Sequence, residues 1–306
     1  MGVNTVILIC GPTASGKTAI AIDLALKLKT EIISADSRQC YHELNVGAAK
    51  PTGEELALVK HHFINEFSVN EEITAADFEK LGLHYLDNAF SNNQYAIVCG
   101  GTGLYIKALL EGLDAMPSIS KYITDAIELE YAEKGKEWLQ NRVKVEDPEF
   151  FLSGEIENPA RMIRALAFKL GTGDSILQYR THVPKKRSFK IIKIGLELER
   201  EILYARINKR VDLMMEQGLL EEVKNLYPLR NLKNLQTVGY TEIFEYLDGK
   251  YSLETAVEKI KQNTRRYAKR QLTWFRKDTE IQWLPAADSK LVSKILGGNT
   301  FHSTNV

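Results

Sequence analysis

The 306-residue chain carries 40 basic and 40 acidic residues, with 26% charged and 44% hydrophobic residues. That balance excludes a disordered chain, and the absence of net charge excludes a global field drawing the whole molecule to nucleic acid or anionic lipid. No window approaches the length of a membrane span and no basic segment precedes the first apolar run, so the expectation is a cytosolic, cytoplasmic protein with no membrane partner.

The first element is 5-TVILIC-10, a short apolar run rich in β-branched residues that reads as a buried strand; the alanine-rich amphipathic run 19-AIAIDLALKLK-29 reads as a helix. Between them, 11-GPTASGKT-18 fits the pattern G-x-x-x-x-G-K-[ST], with Gly11, Gly16, Lys17 and Thr18 in place. Glycines let backbone amides turn inward around an anion, and the helix N-terminus adds positive potential. The whole loop, Gly11, Pro12, Thr13, Ala14, Ser15, Gly16, Lys17 and Thr18, is therefore a candidate diphosphate or nucleotide cradle. Lys17 supplies a point charge to phosphate oxygens, and the Thr18 hydroxyl is a ligand for Mg²⁺, the cofactor expected there.

The strand-like 31-EIISAD-36 follows, then a helical run over 74-TAADFEKLGLHYLDNAF-90 and the strand-like 95-YAIVC-99, which enters 100-GGTGLYIKALLEG-112. This alternation predicts an α/β fold: a P-loop NTPase-like parallel sheet flanked by helices, whose functional rim is the carboxyl ends of the strands. From 115 to 187 strand signals vanish, and helical stretches such as 119-ISKYITDAIELEYAEKG-135 and 160-ARMIRALAFKL-170 read as a helical insertion. The alternation resumes with strand-like 189-FKIIKIGL-196 and helical 200-REILYARINKRVDLMMEQG-218. The expected domains are thus a core of 1–114 with 188–306, and an insertion of 115–187. Cys10, Cys40 and Cys99 lack metal-ligand spacing and read as buried free thiols.

A motor or switch NTPase would carry a Walker-B carboxylate at the end of an apolar strand. The strand 95–99 ends instead in Gly100-Gly101-Thr102. The only strand-end carboxylate in the first third is Asp36, which could hold metal, act as a base toward a second substrate, or serve as an ordinary turn or cap aspartate. Near the C-terminus, 261-KQNTRRYAKRQLTWFRK-277 has no acidic residue, while Leu253, Ala256, Ile260, Tyr267 and Trp274 recur at helical spacing. They predict an apolar seam that leaves Lys261, Arg265, Arg266, Lys269 and Arg270 outward, as a solvated face or a phosphate-contacting one. A second basic cluster, 180-RTHVPKKRSFK-190, closes the insertion.

In order along the chain, 11-GPTASGKT-18, 34-SADSRQCYHELNVGAAKP-51, 61-HHFI-64, 100-GGTGLYIKALLEG-112, 206-RINKRVDLM-214, 218-GLLEEV-223, 238-VGYTE-242 and 264-TRRYAKRQLTWFR-276 resemble the bacterial tRNA dimethylallyltransferase (tRNA isopentenyltransferase) family. The resemblance spans nearly the whole length. It implies transfer of a dimethylallyl group from dimethylallyl diphosphate to N6 of adenosine-37, beside the anticodon, in tRNAs reading codons that begin with U. The partners implied are the tRNA anticodon stem-loop and dimethylallyl diphosphate, met by a monomer. Fixed positive groups would then stabilise a departing diphosphate, Lys17 and the loop amides joined by Arg210 as a bidentate phosphate ligand.

On the acceptor side the resemblance makes Asp36 the base that takes the amine proton and Thr102 a hydrogen-bonding partner of the adenine, with Ser37, Arg38 and Gln39 lining the same pocket. It also marks Thr124, Ala160, Arg161, Met162, Ile163 and Arg164 in the insertion as tRNA-contacting, and turns Arg265, Arg266 and Lys269 toward phosphate contact. Departures lie mostly on the tRNA-facing side. The segment 157-ENPARMIRALAF-168 keeps Arg161 and Arg164 but loses acidic residues, Thr124 stands for a frequent arginine, and Ala48 replaces a threonine. No zinc-finger spacing follows Trp283. The alternative is an adenylate isopentenyltransferase acting on free AMP, ADP or ATP, which needs neither the basic helix nor the insertion.

Overall fold

The computed structural model describes residues 2–153, 155–181 and 183–297; His182, within the basic segment 180–190, lies outside them. The first half runs β1 (Thr5–Cys10), α1 (Lys17–Leu28), β2 (Ile32–Ala35), α2 (Gly53–Leu58), β3 (His61–His62), α3 (Ala75–Asn92), β4 (Tyr95–Gly100), α4 (Gly103–Glu111), α5 (Lys121–Glu146), α6 (Pro148–Leu152) and α7 (Pro159–Thr172). The second runs β5 (Lys190–Glu197), α8 (Arg200–Glu216), α9 (Leu219–Leu226), α10 (Tyr240–Leu247), α11 (Leu253–Phe275), β6 (Gln282–Pro285) and α12 (Leu291–Gly297).

The strands form one sheet in the order β3-β2-β4-β1-β5-β6, with every pair parallel. β1 is central and wholly buried. Its alternate residues serve two cores: Val6, Leu8 and Cys10 pack on one face, Ile7 and Ile9 on the other. The register sets the site, because Gly100 pairs with both Cys10 and Ala35. The residues that follow, Gly11, Asp36 and Gly101, therefore leave the sheet abreast at the carboxyl ends of three adjacent strands.

Local signals account for most boundaries. Thr52 with Glu55 and Thr74 with Asp77 form reciprocal caps that start α2 and α3. The short β3 and β6, which lack enough residues for a periodic signal, were not anticipated by the sequence and extend the sheet at its two ends.

The chain divides into two compact units, one running to Glu111 and resuming at Lys186, the other Gly112–Lys185. The second is all-helical among its described residues, built on Ile127, Leu139, Val143, Phe150, Met162, Leu166 and Phe168. The expected helix 119–135 continues beyond its glycine: Gly135 adopts φ 78°, breaks the regular path, and the chain resumes helix to Glu146. Leu139 and Val143 reward that continuation by complete burial.

Candidate active site

The loop after β1 wraps toward the start of α1. Gly16 takes φ 93°, a left-handed conformation open to glycine, and the first helical hydrogen bond runs from Ile20 N–H to the Gly16 carbonyl. The amides of Lys17, Thr18 and Ala19 precede it and have no carbonyl of their own helix to bond, so the helix presents donors and positive potential at its N-terminus.

Two cations converge there. Lys17 Nζ donates to the Pro12 carbonyl at 2.7 Å, and Arg210, carried in by α8, donates through Nη1 to the Thr13 hydroxyl at 3.2 Å. Burial pushes the Lys17 ammonium below its ordinary pKa, and the Arg210 charge pushes the same way. Burial also lowers Arg210. Neither forms an ion pair with a carboxylate among the described residues, so this pair of charges is left for an anion.

Asp36 follows β2 directly. Its Oδ1 accepts from the Arg38 amide at 2.9 Å and the Gln39 amide at 3.4 Å, while Oδ2 has no hydrogen-bond partner among the described residues. The turn thus fixes the carboxylate and leaves one oxygen open. Thr102 Oγ1 accepts from the Ser37 amide at 3.1 Å, tying the turn after β4 to the turn after β2. Gln39 is spent within the protein: its Oε1 accepts from Ser34 Oγ at 2.9 Å, and its Nε2 donates to the Ala49 carbonyl at 3.2 Å.

Two cavities open at this rim. One, of about 250 Å³, is lined by Lys17, Thr18, Asp36, Gln39, Cys99 and Arg210 among others. The second, of about 190 Å³, is lined by Ser37, Arg38, Val211, Met214, Val238 and Ile260 among others. Thr13, Asp36, Ala48, Ala49, Arg210 and Tyr267 belong to both walls. Asp36 therefore stands where a chamber lined by the loop after β1 meets a more apolar one.

Cys10 and Cys40 are buried free thiols as expected, raised to about 12 by burial. Cys99 is only half-buried by exposed surface and lines the first cavity, with burial raising it to about 11. Among the described residues no group of three or more His, Cys, Asp or Glu side chains could hold a metal ion by itself. Thr18 offers a single hydroxyl on the first cavity. That donor set fits Mg²⁺, which keeps several waters and draws further oxygens from phosphates.

The seam on α11 agrees with expectation at Ala256 and Ile260 and departs from it toward the C-terminal end. The buried positions are Ala256, Ile260, Ala268, Gln271 and Phe275, whereas Trp274 is 40% exposed. Ala268, Gln271 and Phe275 carry the contact stripe there, so extending the seam through Trp274 put its last turns too far round the helix. The outward basic set also shrinks. Lys261 pairs with Asp212 and Glu258, both at 2.9 Å, and Arg265 turns onto α8, donating to Asn208 Oδ1 at 2.6 Å. Arg266, Lys269 and Arg270 remain exposed.

In the helical unit, Ala160, Arg161 and Arg164 are exposed and Thr124 is half-buried. Met162 and Ile163, expected among the tRNA-contacting residues, are instead 0% and 8% exposed in the core of that unit, so their side chains are withheld from a partner. The period of α7 explains it, since consecutive residues cannot all share one face. Of the basic segment 180–190, Arg180 pairs with Glu155 and Arg187 with Glu79, each at 2.9 Å.

Sequence reasoning passed over Gln271 and counted Tyr267 only in the apolar seam. Gln271 Oε1 accepts from the Thr13 amide at 2.8 Å, and its Nε2 donates to the Gly101 carbonyl at 2.9 Å. Burial pushes the Tyr267 phenol up to about 12, assisted by the Asp36 charge, and it lines both cavities. A polar residue inside an apolar stripe was the available signal.

The family model described as IPP transferase matches residues 39–278. The chain is 48% identical to a tRNA dimethylallyltransferase from Christiangramia forsetii over 92% of this chain and 93% of that protein. It is 46% identical to a tRNA dimethylallyltransferase from Cytophaga hutchinsonii, over 91% of each. Among solved structures, the full-length tRNA isopentenylpyrophosphate transferase from Bacillus halodurans superposes with a TM-score of 0.71 at 35% identity, covering 98% of this chain and 96% of that one.

Proposed function

Because the chain belongs to the IPP transferase family, we propose that it transfers the dimethylallyl group of dimethylallyl diphosphate to N6 of adenosine-37 in tRNAs that read codons beginning with U. The observation that carries this reading is that Lys17 and Arg210, neither in an ion pair with a carboxylate among the described residues, line one chamber together with Asp36. Cleavage of the allylic C–O bond delivers negative charge to the diphosphate, and Lys17, Arg210 and the first amides of α1 stabilise it as it forms. The exocyclic amine attacks the allylic carbon, the C–O bond breaks, and Asp36 Oδ2 takes the amine proton. Asp36 is fit for this because the turn amides hold Oδ1 and leave Oδ2 free. Mg²⁺ on Thr18 would add positive charge at the leaving group.

Ser37 lines the second cavity and Thr102 holds its amide, which places both hydroxyls at the turn that carries Asp36, and the exposed Arg266, Lys269 and Arg270 supply phosphate contacts from α11. Arg161 and Arg164 do so from the helical unit. The working form in this reading is a monomer acting in the cytoplasm. Among the described residues no helix is long and apolar enough to cross a membrane.

Incubation with labelled dimethylallyl diphosphate and, in separate reactions, tRNA, AMP or ATP tests the reading. Label is expected on tRNA alone, at the adenine beside the anticodon. Label on AMP, or release of phosphate from ATP with no label transferred, would overturn it.

A further inference from the structure

We infer that Gln271 is a positioning residue for the donor site: its side-chain amide locks the phosphate loop to the turn after β4 and so sets the loop that grips the diphosphate. This rests on the donor reading above and deepens it. Gln271 is 6% exposed and presents one acceptor and one donor, matched to the two groups it meets, the Thr13 N–H at 2.8 Å and the Gly101 carbonyl at 2.9 Å. A primary amide answers both at once from one planar group.

Three features make the contact more than packing. Thr13 is the residue whose hydroxyl receives Arg210, so the group that fixes the Thr13 backbone also fixes the arginine's partner. Gly101 is followed by Thr102, whose side chain holds the Ser37 amide beside Asp36; one amide thus touches the donor loop and the turn that braces the acceptor side. A Cβ at Gly101 would fall on Gln271 Nε2, so any side chain there would push the amide out of its place. The missing side chain at position 101 is the space the amide occupies.

The Thr13 N–H is withdrawn from the anion by this contact, which leaves the amides at the start of α1 to meet phosphate. With Gln271 replaced by leucine, a buried N–H and a buried carbonyl lose their partners, and the loop is free to turn the Thr13 amide elsewhere. Gln271→Glu keeps the acceptor for Thr13 but sets an anionic oxygen against the Gly101 carbonyl. When protonated, the acid restores both hydrogen bonds. The charged or titratable groups sharing that cavity wall are Lys17, Asp36, Glu55, His61, Cys99, Arg210 and Tyr267, all common to wild type and variant. The ratio of the two proteins at each pH therefore isolates position 271.

The test measures inorganic diphosphate binding by calorimetry and dimethylallyl transfer to tRNA, for wild type, Gln271→Leu, Gln271→Glu and Gly101→Ala. Gln271→Leu and Gly101→Ala are expected to weaken diphosphate binding and raise the donor KM by about ten-fold or more, with kcat at saturating donor changed less. Combined, the two substitutions should act as one, since each removes the same contact. Diphosphate affinity of Gln271→Glu, relative to wild type, should recover by about five-fold from roughly pH 8 to pH 5.5, as the buried acid protonates. Unchanged diphosphate affinity in folded Gln271→Leu, or a Gln271→Glu ratio flat across that range, would overturn the assignment and leave the glutamine a packing residue. Diphosphate binding decides the matter even if no label reaches tRNA, an outcome that would sink the proposed reaction instead.

Discussion

Arg210→Met removes the guanidinium and keeps much of its apolar stem. In the free protein this arginine donates one hydrogen bond, to the Thr13 hydroxyl, and burial pushes its pKa below the ordinary value. A cation placed so, with no carboxylate beside it, destabilises the empty fold, and the variant should melt at the wild-type temperature or above it. With donor bound the sign reverses. One charge-assisted contact on the leaving group is worth about 2–4 kcal/mol in the transition state, so kcat/KM for dimethylallyl diphosphate should fall roughly 30- to 900-fold. The ground-state share is read by thermal shift. Inorganic diphosphate at about 100 times the wild-type Kd stabilises by about 2.7 kcal/mol, whereas a variant whose Kd has risen about 100-fold gains about 0.4 kcal/mol at that same concentration. Affinity for tRNA, measured in the absence of donor, should change little. Loss of tRNA affinity with donor kinetics intact, or a lower melting temperature with the diphosphate shift preserved, would refute the placement of Arg210 on the leaving group.

Asp36→Asn should leave donor and tRNA binding in place and slow single-turnover transfer by about two to four decades, as for loss of a positioned base; restoration of the rate by excess Mg²⁺ would return Asp36 to metal binding. Arg266→Ala, Lys269→Ala and Arg270→Ala together should weaken tRNA binding and flatten its salt dependence, read from binding titrations at several salt concentrations, and an unchanged slope would mark that face as merely solvated. Arg265→Ala should instead lower the melting temperature by loosening α11 from α8, where it bonds Asn208, with little effect on the salt slope. Lys17 is held below its ordinary 10.5 by burial, so in the window between its folded and unfolded pKa the unfolded chain binds more protons, and the ligand-free protein gains stability as pH rises through it. Denaturant melts should show this rise in wild type and lose it in Lys17→Met.

The phosphate loop with its lysine and the strand-helix alternation of the parallel sheet were legible because each depends on neighbours in sequence. A β-branched run, glycines, a lysine and a helix in that order dictate the local geometry whatever surrounds them. The identity of Arg210 and Thr102 came from resemblance, since an arginine on a helix or a threonine after a strand has many uses. From its own residues Asp36 stands between three roles, and what the register of Gly100 with Ala35 and Cys10 adds is its place, abreast of the loop.

What the sequence by itself determined was the longer strands and helices and the phosphate-loop pattern, because periodicity and turn residues act over a few positions. Only the tertiary structure decided which side chains share a surface. Gln271 reaches Thr13 across 258 positions, Arg210 reaches it across 197, and Arg265 leaves the basic face for Asn208 across 57. Met162 and Ile163 sit in a motif of exposed neighbours yet turn inward. Such outcomes depend on how one helix is rotated against another, and packing of the whole stripe fixes that rotation, with alanines and a glutamine counting as much as the large apolar residues that announce themselves in a sequence.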